Sequence, residues 1–100
     1  MNTLKVTDEV KVADSSDWRL FDQIDKAFAK AFKTKSLAVC DGLDEAYYDH
    51  DVDGTVVTVH LQHYLGVRIF LRYPDRATEK DLTVLRKIRD HYQNAEQKKM

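Results

Sequence analysis

The chain is poor in the residues that build special scaffolds. It has one cysteine, Cys40, in 100 residues, which excludes an internal disulfide and any zinc site made of several thiolates. Three glycines and one proline leave no material for a collagenous repeat, a flexible linker or a glycine-rich phosphate loop. There is no surplus of one charge: 16 Lys and Arg against 17 Asp and Glu give a net charge of -1. A general nucleic-acid binder, which needs excess cations for phosphate, is therefore not expected. The longest unbroken apolar run is Leu37-Ala38-Val39-Cys40, far short of the roughly 20 residues that span a bilayer. Met1-Asn2-Thr3-Leu4-Lys5 has no apolar signal stretch, so the expectation is a cytoplasmic protein with no membrane partner.

What is present is globular composition, with 43% hydrophobic and 10% aromatic residues, enough for one modest core. No repeat, linker or composition break divides the chain. A single domain over 1–100 is expected, ordered from about residue 3 to about residue 95, with a frayed polar tail at 96–100.

Hydrophobic periodicity supplies the elements. Leu4, Val6, Val10 and Val12 share one parity, the pattern of a half-buried strand, and Asp8 interrupts it where a bulge or bend would sit. Asp14-Ser15-Ser16-Asp17 offers helix caps. Behind it Trp18, Phe21, Ile24, Ala27, Phe28, Ala31 and Phe32 recur every three or four residues, which predicts an amphipathic helix over 17–33. Its opposite face would carry Arg19, Asp22, Asp25, Lys26, Lys30 and Lys33, with acids early and lysines late. Ser36 to Cys40 reads as a short buried strand.

Asp53-Gly54 is a two-residue hairpin signal flanked by Val52 and Thr55. That turn puts Ala46, Tyr48 and His50 on the face of Val57, Val59 and Leu61. A three-residue loop Tyr64-Leu65-Gly66, with Gly66 left-handed, would then pair His63 with Val67, Leu61 with Ile69 and Val59 with Leu71. Pro74 ends the last strand, and Thr78 with Asp81 resembles a capping box. Leu82, Leu85, Ile88, Tyr92 and Ala95 form the stripe of a second helix over about 79–94. The expected fold is α+β: order β-α-β-β-β-β-α, a largely antiparallel sheet of four to five strands with both helices on one face.

Several residue groups suggest chemistry. Asp49-His50-Asp51-Val52-Asp53-Gly54 matches the first half of a calcium loop, but His60 stands where the bidentate Glu belongs and the flanks are strands. No metal ligand set is assigned, and no cofactor. Asp41, Asp44, Glu45, Asp49, Asp51 and Asp53 fall in a stretch with no Lys or Arg, while 76–100 is rich in bases. The near-neutral total thus hides a polarised molecule whose acidic segment could steer a basic partner. His60 and His63 point to opposite faces of a strand and cannot chelate one ion together; His50 is expected on the core face as a hydrogen-bonded histidine, His91 exposed, and Cys40 an inert buried thiol. The open sheet face would gather Tyr47, Asp49, Thr58, His60, Gln62, Arg68, Phe70 and Arg72, with Tyr47 opposite His60 and Asp49 opposite Thr58. His60, Arg68 and Arg72 there form the alternative, ligand-binding or enzymatic, site. Without a nucleophile elbow or phosphate loop the expectation is a protein without catalytic activity.

With the string His60-Leu61-Gln62-His63-Tyr64-Leu65-Gly66-Val67-Arg68-Ile69-Phe70-Leu71 and the acidic turns before it, the chain resembles the small single-domain immunity proteins of bacterial toxin-immunity pairs. The likeness is one of size, layout and charge polarity. It implies a cytoplasmic, non-catalytic inhibitor that binds a cognate basic toxin domain, often a nuclease, through an acidic surface. The partner-binding residues on this reading are Asp44, Glu45, Asp49, Asp51 and Asp53, with Tyr47 and Phe70 as anchors. Self-association through the open face or an edge strand is the remaining alternative.

Overall fold

A computed structural model describes residues 4–15, 17–34, 36–41, 45–62 and 66–98, with side chains in all of these but 36–41, 45 and 94–98. The elements are β1 (Val10–Ala13), α1 (Trp18–Ala31), β2 (Ser36–Asp41), β3 (Glu45–Val52), β4 (Thr55–Gln62), β5 (Gly66–Leu71), a short 3-10 turn at Pro74–Arg76, and α2 (Glu79–Lys98). The strands form one antiparallel sheet in the order β1-β5-β4-β3-β2. Both helices pack on the same face, as the alternation requires. Phe21, Phe28, Val57, Val59, Val67, Ile69, Leu85 and Ile88 are fully buried between the layers.

The Asp53-Gly54 turn has the expected register, with Val52 opposite Thr55, Tyr47 opposite His60 and Asp49 opposite Thr58. Both turn residues have positive φ, 54° and 88°, which suits the twist of a two-residue hairpin. The next hairpin differs from expectation. Leu61 pairs with Val67, Val59 with Ile69 and Val57 with Leu71, and Gln62 faces Gly66. The connection is therefore 63–65, which lies outside the described residues. The observed pairing is two residues away from the expected one, and a shift of two leaves every side chain on its original face. Apolar alternation cannot distinguish the two registers. Gly66 marks the difference: its φ is 91°, and a Cβ there would lie 2.1 Å from the Ala13 carbonyl oxygen of β1. It is the place where β5 meets the end of β1.

β1 is shorter than its parity suggests. Asp8 accepts the Lys5 N–H at 2.8 Å and donates its own N–H to the Lys5 carbonyl at 3.0 Å. That local turn diverts the backbone and delays the strand to Val10, while Leu4 and Val6 still lean on the core. The expected bend at Asp8 is therefore present, and a separate irregularity in the ladder falls between Lys11 and Ala13.

Asp17 caps α1 by accepting the Arg19 N–H at 2.8 Å. At the other end Lys33 is left-handed and Thr34 N–H reaches the Ala29 carbonyl at 2.9 Å, a Schellman closure. The buried line of α1 is narrower than the expected stripe. Phe21, Asp25 and Phe28 form it, whereas Ala27 and Ala31 are exposed and Trp18 is 45% exposed. Asp25, expected on the solvent side with early acids, is inside, and the first turn carries no acid. Its Oδ1 lies 2.6 Å from Nε2 of the fully buried His50 of β3, so the ring N–H donates to the carboxylate. Burying a phenylalanine contributes about 1.5–3 kcal/mol, so Phe21 and Phe28 on either side readily offset the desolvation of a carboxylate that is already hydrogen-bonded.

The Thr78–Asp81 cap is present and does more than end a helix. Asp81 Oδ2 accepts the Thr78 N–H at 2.8 Å, and its Oδ1 accepts the buried Thr55 hydroxyl at 2.6 Å, tying the β3–β4 turn to α2. The helix continues through Lys98, beyond the expected end near 94 and into the segment read as a frayed tail. No helix among the described residues is long and apolar enough to cross a membrane.

Two predictions follow from this geometry. Gly66→Ala should cost at least about 2 kcal/mol in urea unfolding, because positive φ and a backbone clash combine. Gly54→Ala, where a Cβ would meet only the mobile end of Lys80, should cost about 1 kcal/mol. Asp81 supplies the second. The Thr55 hydroxyl and then the Thr78 N–H hold its carboxyl below the ordinary 3.8. The folded value is depressed, so the stabilisation is fully present above the unfolded value and disappears as pH falls through the folded one. Acid unfolding curves should therefore show Asp81→Asn less stable than wild type at pH 7 and the gap closing below the ordinary carboxylate range.

Candidate binding surface on the open sheet face

The second face of the sheet carries the side chains that alternate with the core. From β3 these are Tyr47, Asp49 and Asp51; from β4 Thr58, His60 and Gln62; from β5 Arg68 and Phe70. Arg72 extends the row, since its N–H donates to the Val56 carbonyl at 3.0 Å and continues the ladder past Leu71. The eight residues expected on this face are thus brought together, although the shifted register puts Arg68 across from His60 and Phe70 across from Thr58.

The centre of this face is unexpectedly dry. Thr58 is 1% and Asp49 7% exposed although both helices lie on the other side. The Thr58 hydroxyl donates to Asp49 Oδ1 at 2.6 Å, and Arg72 Nε stands 3.5 Å from Oδ2. Buried on a crowded strand, the carboxylate is stable because both oxygens face donors. Around this bond run the aromatic rings. Tyr47 meets His60 edge to face at 6.1 Å, and His60 meets Phe70 at 5.7 Å. The Arg72 guanidinium lies 5.5 Å from the Tyr47 ring centre, and Arg76 lies 4.4 Å from that of Tyr73, itself 48% exposed. Each contact orders a side chain that would otherwise lose rotamer freedom on binding.

The described part of the acidic segment is spread along β3. Asp44 lies outside the described residues, and Glu45 starts β3 opposite Gln62. Asp51 and Asp53 sit at the far end of this eight-residue strand, about 20 Å away at roughly 3.3 Å per residue. Asp49 is held inside the face. Asp51 accepts the Gly54 N–H at 2.7 Å, and Asp53 is 3.9 Å from Lys87 of α2. The calcium-like string is explained by the same geometry: in a strand His50 points to the core while its neighbours point away. Among the described residues no group of three His, Cys, Asp or Glu side chains is placed to hold a metal ion.

Two residues of the alternative ligand site, Arg68 and Arg72, face acids. Arg68 donates to Glu9 at 2.8 Å and Arg72 faces Asp49. Two cavities open among the described residues, one of about 360 Å³ beside the Gly54 turn and the start of α2, another between β1 and the helices. Asp25 is the residue that sequence reasoning missed. Its signal was its place at i+4 from Phe21 and i-3 from Phe28, on the line of the core.

No protein-family model matches the sequence, no curated protein is significantly similar to it, and no solved structure matches the fold significantly.

The buried bond gives a direct check on this surface. Thr58→Val keeps the shape but leaves Asp49 short of a donor, and should cost about 1–3 kcal/mol in urea unfolding. Asp51→Asn, at an exposed turn position, should stay within about 0.5 kcal/mol of wild type. Equal small effects would mean that the Thr58–Asp49 bond does not organise the face.

Proposed function

We propose that the protein is a non-catalytic protein-binding module that neutralises a basic partner domain, as its resemblance to toxin-immunity proteins implies, and that it docks through the open sheet face. The observation that supports this best is the charge state of that face. Three of its cations are matched, Arg68 by Glu9, Arg72 by Asp49 and Lys11 by Asp14. Asp51 receives a backbone N–H but no cation among the described residues, so it is a carboxylate available to a basic partner. Tyr47, Phe70 and Arg72 are of the residue types that carry binding energy at the centre of interfaces. The ring contacts between them hold the face in one shape before a partner arrives.

On this reading Tyr47 and Phe70 act as anchors and Asp51 with Asp53 as a steering rim. Asp49 belongs to the support of the surface. The catalytic alternative loses ground because Asp49 turns both oxygens to Thr58 and Arg72, the pattern of a structural acid. The partner is a basic domain, and a nuclease fits because its phosphate-binding cations would meet carboxylates here.

The test is affinity capture from source cells at about 0.1 M and about 0.5 M salt, using wild type and a Tyr47→Ala/Phe70→Ala variant with an unchanged melting temperature. One basic protein should be retained at low salt, weakened at high salt, and lost by at least tenfold in affinity in the variant, about 1.4 kcal/mol. Equal retention by the variant would move the interface off this face, and recovery of the bait alone would count against a partner protein.

A further inference from the structure

The short β1 leaves part of the helix layer without a strand beneath it. There a cavity of about 800 Å³ opens between β1, α1 and the C-terminal half of α2, within the roughly 300–1,000 Å³ range of small-molecule sites. Val12 from β1 and Leu20 and Ile24 from α1 give it apolar walls, and Arg89 and Tyr92 of α2 give it polar ones. It runs along the edge of the sheet at β1, where Glu9 reaches over to Arg68 of the open face.

The charged groups along this cavity are unequally engaged. Glu9 holds Arg68 at 2.8 Å, and Lys11 binds Asp14, so these rim charges are committed to partners. Arg89 is not. Its Nη2 reaches only its chain neighbour Asp90, at 3.4 Å, and its Nε is buried with no hydrogen-bond partner among the described residues. Nε itself leaves no room for an acceptor, so an incoming oxygen can engage only the terminal nitrogens of the fork, on a side chain that is 22% exposed. Beside it, burial and then the charge of Asp25 push the Tyr92 phenol up to about 12, so Tyr92 keeps its proton and remains a neutral donor at any physiological pH.

We propose that this cavity binds a monocarboxylate on an apolar stem, of the medium-chain fatty acid class, with the carboxylate on Arg89 and the stem against Val12, Leu20 and Ile24. The planar guanidinium fork matches a carboxylate. Arg89, whose only ion-pair partner among the described residues is its chain neighbour Asp90, supplies one positive charge for one negative charge, and the carboxylates of Glu9 and Asp14 at the rim disfavour a dianion such as a phosphate monoester. Such a ligand would also stabilise the fold by linkage, since its site is made only when β1 and both helices are docked.

The experiment is a titration of the full chain with decanoate below its micelle-forming concentration, followed by calorimetry and by amide and methyl NMR shifts, with decanol as the uncharged control. Saturable one-site binding is expected, with shifts centred on Val12, Leu20, Ile24 and Tyr92 and with decanol binding at least tenfold more weakly. Arg89→Gln should weaken decanoate at least tenfold and leave decanol unchanged, and Arg89→Lys should restore part of the loss. Leu20→Trp, which fills the cavity from another element, should abolish both, and keeps the test decisive if Arg89→Gln does not fold. Equal binding of decanol and decanoate, absence of saturable binding, or shifts centred on Tyr47 and Phe70 would overturn the proposal.

Discussion

Everything in this molecule is hung on the alternation of β4. Val57, Val59 and Leu61 are buried toward the helices while Thr58, between them, is buried toward the opposite side. A strand covered on both faces cannot slip by one residue without exposing three apolar side chains and burying polar ones in the core. At about 1.5–3 kcal/mol for each buried aliphatic side chain, such a slip would cost a large share of the stability of a domain this small. The Asp53-Gly54 turn sets β3 against this strand, and β5 follows on the other side. Placement of Tyr47, His60 and Phe70 on one face is a consequence of that constraint.

Three side-chain hydrogen bonds inside this frame join different elements. Asp25 and His50 link α1 to β3, Thr55 and Asp81 link the hairpin to α2, and Thr58 and Asp49 join β4 to β3 on the outer face. Each bond has a geometric requirement that apolar packing lacks, so together they select one arrangement of helices over the sheet. The outer face gains most from this. A surface resting on a buried hydrogen bond and ring-to-ring contacts is ordered before it meets a partner, which lowers the entropy cost of association.

The fold was largely legible because period-two and period-3.6 patterns are carried by many residues at once. Element order, the faces of all the central strands and the β3–β4 register could be read from Ala46 through Leu61. The β4–β5 register could not, because a shift of two residues preserves the pattern; the close approach of Gly66 to Ala13 is a contact between distant strands with no local signal. Asp25 was read as solvent-facing because a carboxylate usually is, and its partner His50 lies in another element. The candidate surface was half legible. Its membership followed from parity, but a strand's length separates acids that sequence places close together, and the commitment of Asp49 to Thr58 appears only in three dimensions.

The central claim is that the open sheet face is the surface a partner covers, and side-chain footprinting tests it most directly. Hydroxyl-radical labelling of the free protein and of the captured complex would compare Tyr47, Phe70 and Tyr73 with Trp18, which is 45% exposed at the start of α1. The account predicts that Tyr47 and Phe70 become protected while Trp18 keeps its reactivity. Protection of Trp18 with Tyr47 and Phe70 unchanged would place the partner on the helices and contradict the account.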